Sequence, residues 1–180
     1  MRGLNRLVHM TTFLHKIARA TPRAHSPVQE TELSKEALVD IVLEVVASAD
    51  WSQPEADGRL GRFKTPPGEV LLATLTYCYA WGIYSSSKIE SAILGNRQNF
   101  DLLDRIPLER RSFSQFRRHN RDLVKFCLTQ VLGRIGTEDG SRQDSRSSSL
   151  PSDFEFARFA HEAAHRIDKA LECDFLESDE

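Results

Sequence analysis

The chain has 180 residues, a formal net charge of −2 and 40% hydrophobic residues, a composition that suits one globular core with tails. Its three cysteines, Cys78, Cys127 and Cys173, are far apart and never form a C-x-x-C pair, so neither a disulfide framework nor a zinc knuckle is indicated, and a reducing, intracellular setting is expected. The longest apolar stretch, residues 70–84, is broken by Thr74, Thr76 and Gly82 and falls short of the ~20 residues a bilayer-spanning helix needs, which excludes a membrane partner.

In chain order, residues 1–30 carry Pro22, Pro27, Arg2, Arg6, Lys16, Arg19 and Arg23, with only a weak apolar pattern at Leu7, Phe13, Leu14 and Ile17. A basic, poorly ordered, flexible N-terminal arm is expected there rather than a targeting segment, because no apolar h-region or cleavage site is evident. Ser34 then caps a helix in which Leu38, Ile41, Val42, Val45 and Val46 repeat on one face. Pro54, Gly58 and Gly61 mark a loop over residues 50–65. Pro66 and Pro67 open the next helix, where a missing N–H costs nothing, and its apolar residues on all sides make it the central helix, ended by Gly82.

Ser85, Ser86 and Ser87 offer N-caps, and Ser87 with Glu90 forms a capping box before a short helix closed by Gly95. A second box, Ser112 with Gln115, predicts a long helix over residues 113–132, with Phe116, Leu123, Val124, Cys127, Leu128 and Val131 turned inward and Arg117, Arg121 and Lys125 recurring every four residues. Residues 136–150, rich in Gly, Ser and charge, read as a linker. A third box, Ser152 with Glu155, opens an acidic C-terminal helix within residues 151–180, with Phe156, Ala160, Ala163, Ile167 and Leu171 along one stripe. The expectation is an all-α protein, a compact helical bundle over residues 31–135 between the arm and that final helix.

The small net charge hides a segregation. Residues 103–134 hold eight basic against three acidic residues, whereas residues 135–180 hold twelve acidic against five basic ones. A polyanion meets the local field rather than the total. The basic segment places Arg110 and Arg111 before a helix start, and Arg117, Arg118, Arg121 and Lys125 along it. Such a start, with the backbone N–H groups of Phe113 and Ser114, suits a phosphate, while Gln115, Arg118 and Asn120 have the donors and acceptors to read base edges. The alternative use of Arg117, Arg121 and Lys125 is a solvated face.

No phosphate-cradling or hydrolase-elbow motif occurs. His161-Glu162-Ala163-Ala164-His165 has the spacing of a zinc metalloprotease helix, but a third ligand would have to come from the end of the same helix. A zinc hydrolase is therefore the weakest alternative, and no metal or cofactor is expected. Cys78 and Cys127 fall on apolar helix faces, as small hydrophobes do.

Pro66-Pro67, the segment Tyr79-Ala80-Trp81-Gly82-Ile83-Tyr84, the run Ser85-Ser86-Ser87-Lys88-Ile89-Glu90 and the segment Ser112-Phe113-Ser114-Gln115-Phe116-Arg117-Arg118-His119 together resemble the InsH-like amino-terminal domain of DDE insertion-sequence transposases over residues 36–132. That family favours Thr-Ile where Ser112-Phe113 stand. The resemblance implies a helix-turn-helix-like element that recognises transposon ends in double-stranded DNA, with Lys88, Arg110, Arg111, Ser112, Gln115, Arg117, Arg118, Asn120, Arg121 and Lys125 as DNA-binding candidates. It also implies an RNase-H-like catalytic domain, of which Asp139-Gly140 is the only remnant within these residues, so strand transfer, catalytic residues and a small-molecule substrate are not expected of this chain. A cytoplasmic, nucleoid-associated location would follow. A protein-interaction module, dimerising through the stripe of the C-terminal helix, or a decayed transposase fragment are the alternatives. An acidic C-terminal helix folded over the basic one would mimic DNA.

Overall fold

The computed structural model describes residues 2–20, 34–49, 68–94, 108–140 and 153–177. These form seven α-helices and, among the described residues, no strand: α1 (Arg2–Ala20), α2 (Lys35–Ser48), α3 (Gly68–Ala80), α4 (Ser86–Leu94), α5 (Arg110–His119), α6 (Arg121–Gly140) and α7 (Asp153–Leu176). Pro66, Pro67, Ser152, the loop over residues 50–65 and residues 141–150 of the expected linker lie outside the described residues.

α3 is the hub. All of its side chains from Leu71 to Ala80 are buried, because α1, α2, α5 and α6 pack around it. A helix apolar on every side has no face to give to water, and the core is where it settles. α3 ends in a Schellman turn: Ile83 N–H donates to Cys78 O at 2.7 Å and Gly82 N–H to Tyr79 O at 3.2 Å, with Gly82 at φ 88°. That φ belongs to the left-handed region, so the expected stop at Gly82 has a steric reason. α2 begins as expected at Ser34, whose Oγ accepts from Ala37 N–H at 3.1 Å, and buries Leu38, Val39, Val42, Leu43, Val45 and Val46.

The fold corrects several sequence-based expectations. α1 is no loose arm over residues 2–20: Met10, Phe13, Leu14, Ile17 and Ala18 are buried against α2, α3 and α4. The weak pattern at Phe13, Leu14 and Ile17 is a true helical stripe, diluted by basic and threonine neighbours. The predicted helix over residues 113–132 is instead two helices broken at Asn120, whose backbone (φ −120°, ψ 33°) leaves the helical region. Its side-chain amide donates to Phe116 O at 3.1 Å and so caps the end of α5. α5 also starts at Arg110, ahead of the expected start at Phe113, with Glu109 as N-cap residue, so Ser112 lies inside the first turn and caps nothing. Finally, α6 continues to Gly140, taking in the first residues of the expected linker.

α7 lies along α6 and touches α4. Its buried residues are Phe159, Ala163, Arg166, Ile167, Ala170 and Asp174, a stripe rotated from the predicted one, with Phe156 turned outward. Phe159 packs on the small-residue side of α6: a Cβ built on Gly136 would stand 2.6 Å from the Phe159 ring and one on Gly133 3.6 Å from it.

Candidate nucleic-acid interface

α5 holds Arg110, Arg111, Arg117 and Arg118 and no acidic residue. Phe113 anchors it in the core, and Phe116 packs partly against the same core. With 3.6 residues per turn, the face opposite these anchors carries Arg111, Gln115 and Arg118 at i, i+4 and i+7. Arg111 and Arg118 are exposed and Gln115 is half-buried between them. His119 is exposed at the end of the helix, its Nδ1 2.8 Å from Gln115 O. Lys88 on α4 and Lys125 on α6 are exposed as well, and Ser112 is half-buried.

Arg117 belongs elsewhere. One turn after Phe113, it points into the protein and is completely buried. Its guanidinium pairs with the Asp174 carboxylate of α7 and donates to the Tyr79 hydroxyl of α3. Burial raises the Tyr79 pKa, an effect the neighbouring Arg117 only partly offsets, so the phenol stays a neutral hydrogen-bonding group. Arg117 is thus a core ion-pair residue and not a surface phosphate contact in this structure. Asn120, as a cap of α5, is likewise committed to its own backbone.

Two further candidates are drawn toward α7. Arg121 pairs with Asp168 at 2.5 Å, both half exposed, and Arg110 Nη2 donates to Asp174 O at 3.4 Å. The regular spacing of Arg117, Arg121 and Lys125 therefore makes no single stripe: the bend at Asn120 divides it, and its first member is inside.

α7 supplies the residues that the sequence reading missed. Arg166, almost fully buried, donates to Tyr79 O at 3.0 Å and Ala80 O at 2.9 Å, the last carbonyls of α3, while its Nε holds Glu162 at 2.7 Å. Asp174 accepts from Ser86 N–H at 3.0 Å and Ser86 Oγ at 2.9 Å, at the start of α4. Ser85 caps α4 through Lys88 N–H at 3.2 Å, in place of the predicted Ser87, and donates to Glu177. A cation thus meets the negative end of α3 and an anion the positive end of α4, each the favourable sign for the helix dipole. The missed signal was present: Arg166 and Asp174 continue the spacing of Phe159, Ala163 and Ala170, and a charge on a core stripe implies a buried partner.

His161 and His165 stand exposed on α7, and Glu162 of the same motif is taken by Arg166. Among the described residues no three His, Cys, Asp or Glu side chains come together as a metal-ligand set. Cys78 and Cys127 are buried, and burial pushes the Cys127 thiol up to about 12. No described helix is long and apolar enough to cross a membrane. Neither a protein-family model nor a curated protein nor a solved structure matches the chain.

Proposed function

We propose that the chain is a DNA-binding module of the transposase amino-terminal type, which docks on double-stranded DNA through the outward face of α5. One observation carries this reading: α5 presents Arg111, Gln115 and Arg118 on one face and no acidic side chain, and it is held from beneath by Phe113 and the buried Arg117. A rigid helix with a cationic outer face and one amide between two guanidinium groups combines phosphate attraction with a base-reading group. α4, packed against α5, takes the part of the first helix of a helix-turn-helix-like pair, with Lys88 and Lys125 as flanking phosphate contacts.

The test is binding of a short duplex across a salt series, comparing the wild type with an Arg111→Ala/Arg118→Ala variant. Each lost phosphate contact flattens the log–log salt slope by about 0.9, so the double variant is expected to lose about 2 from it. Arg117 is excluded from such a variant, because its loss would disturb the core. An unchanged slope would remove α5 from the interface, and no binding at low salt would remove the function.

A second reading, a protein-interaction module, is favoured by a groove lined by Arg118, Leu171, Glu172, Phe175 and Leu176, in which Phe175 and Leu176 are exposed. The stripe first expected to dimerise is not available for it, since Ala163 and Ile167 are buried within the chain's own core. Sedimentation that depends on Phe175 would support this second reading.

A further inference from the structure

The start of α4 and the inner side of α5 together bring an unusual set of donors to one place. Ser86 offers a backbone N–H and a hydroxyl, Ser85 a hydroxyl, and Arg117 and Arg110 their guanidinium groups. Main-chain N–H at a helix start, hydroxyls and arginines are the groups that bind phosphate. In this structure the same chain takes these donors: the Asp174 carboxylate holds Ser86 and Arg117, the Glu177 carboxylate holds Ser85, and the main-chain carbonyl of Asp174 accepts from Arg110.

Those carboxylates fill the place incompletely. Arg117 Nε is buried with no hydrogen-bond partner. A buried guanidinium N–H left without an acceptor is costly, and a phosphate group offers more acceptor oxygens than a carboxylate. The segment carrying the carboxylates is also weakly anchored. Beyond Ala170 the only buried residue of α7 is Asp174, while Phe175 and Leu176 are 67% and 68% exposed. Hydrophobic attachment of α7 runs from Phe159 to Leu171; past that point polar contacts do the holding, the Arg117–Asp174 pair foremost, so this end lifts where an incoming anion replaces them.

We infer that the start of α4, with Arg110 and Arg117 on the inner side of α5, is a phosphate site, and that Asp174 and Glu177 plug it until a nucleic-acid phosphate displaces them. The inference rests on the DNA-binding reading above. It makes the last turns of α7 a cis-acting competitor: the free protein is closed, and DNA gains an extra contact only by opening it.

Hydrogen exchange of the full chain with and without a short duplex at low salt tests this directly. DNA is expected to speed exchange in residues 171–177 while residues 159–170 keep their protection. Glu177→Gln, which removes one competing charge, is expected to raise duplex affinity by about tenfold, the scale of one charge-assisted hydrogen bond. Unchanged or increased protection of residues 171–177 in the DNA complex would overturn the inference, as would unchanged affinity in a folded Glu177→Gln protein. If no variant binds DNA, the functional reading fails on its own account, and titration with inorganic phosphate decides the site separately. A displaced Ser86 amide resonance in Asp174→Asn/Glu177→Gln, or in Glu177→Gln alone if the double variant does not fold, supports the phosphate site; a resonance that stays in place refutes it.

Discussion

Arg117 and Arg118 are neighbours in sequence and opposites in role. Arg117 is inside, bonded to Asp174 and Tyr79; Arg118 is in water. Removing one partner of a buried pair leaves the other charge without a counter-ion, so Asp174→Asn is expected to cost about 3–5 kcal/mol, whereas Arg118→Ala should stay within about 0.5 kcal/mol. Urea unfolding of the two variants measures the contrast; equal stability would mean that the pair contributes nothing. Glu177 makes a prediction about acid. Burial alone would raise its pKa, but the hydroxyls of Ser85 and Ser87 and the charge of Arg110 outweigh it and hold the carboxyl below its ordinary value of 4.5. With the folded-state pKa below the unfolded one, the stabilisation is present above about pH 4.5 and is lost as pH falls through the folded value. Melting temperatures of wild type should therefore fall more steeply over that window than those of Glu177→Gln.

At the scale of elements, helix ends explain most of the chain path. Ser34 and Gly82 act where the local sequence says they should, because each needs only its own neighbours: a hydroxyl for an N–H three residues on, and a residue free to adopt φ 88°. The break at Asn120 and the true start of α5 were not legible in the same way. Ser112 with Gln115 satisfies a capping pattern, yet the helix starts at Arg110, which puts Arg111 on the outer face, opposite the buried Phe113 and Arg117. Contact between α6 and α7 depends on Gly136 facing Phe159. Gly136→Leu gains about 1 kcal/mol of helix propensity but places atoms where the Phe159 ring lies, and a net loss of about 1–2 kcal/mol is expected in urea titration. A stabilised variant would mean that the ring moves aside freely.

For the whole molecule, the first helix is the clearest test of how far the core extends. Leu14 is fully buried, so Leu14→Ala should cost about 2–5 kcal/mol by calorimetry or urea unfolding; an arm outside the core would show no effect. The separation of charge along the chain also takes on a spatial meaning here. The acidic C-terminal helix lies beside the basic segment, with Asp168 on Arg121 and Asp174 on Arg117.

By itself, the sequence determined the helical class, the central position of α3, its stop at Gly82, the cap at Ser34 and the concentration of arginine in α5. All of these follow from spacing and from the chemistry of residues close together in the chain. Tertiary structure alone decided which arginines face water. Arg111 and Arg118 stay outside while Arg117 goes in, because the partner that makes its burial tolerable, Asp174, is 57 residues away on a helix that must first be docked. A buried charge is settled by its distant counter-ion, and a local pattern can show that such a partner is needed but not which residue supplies it.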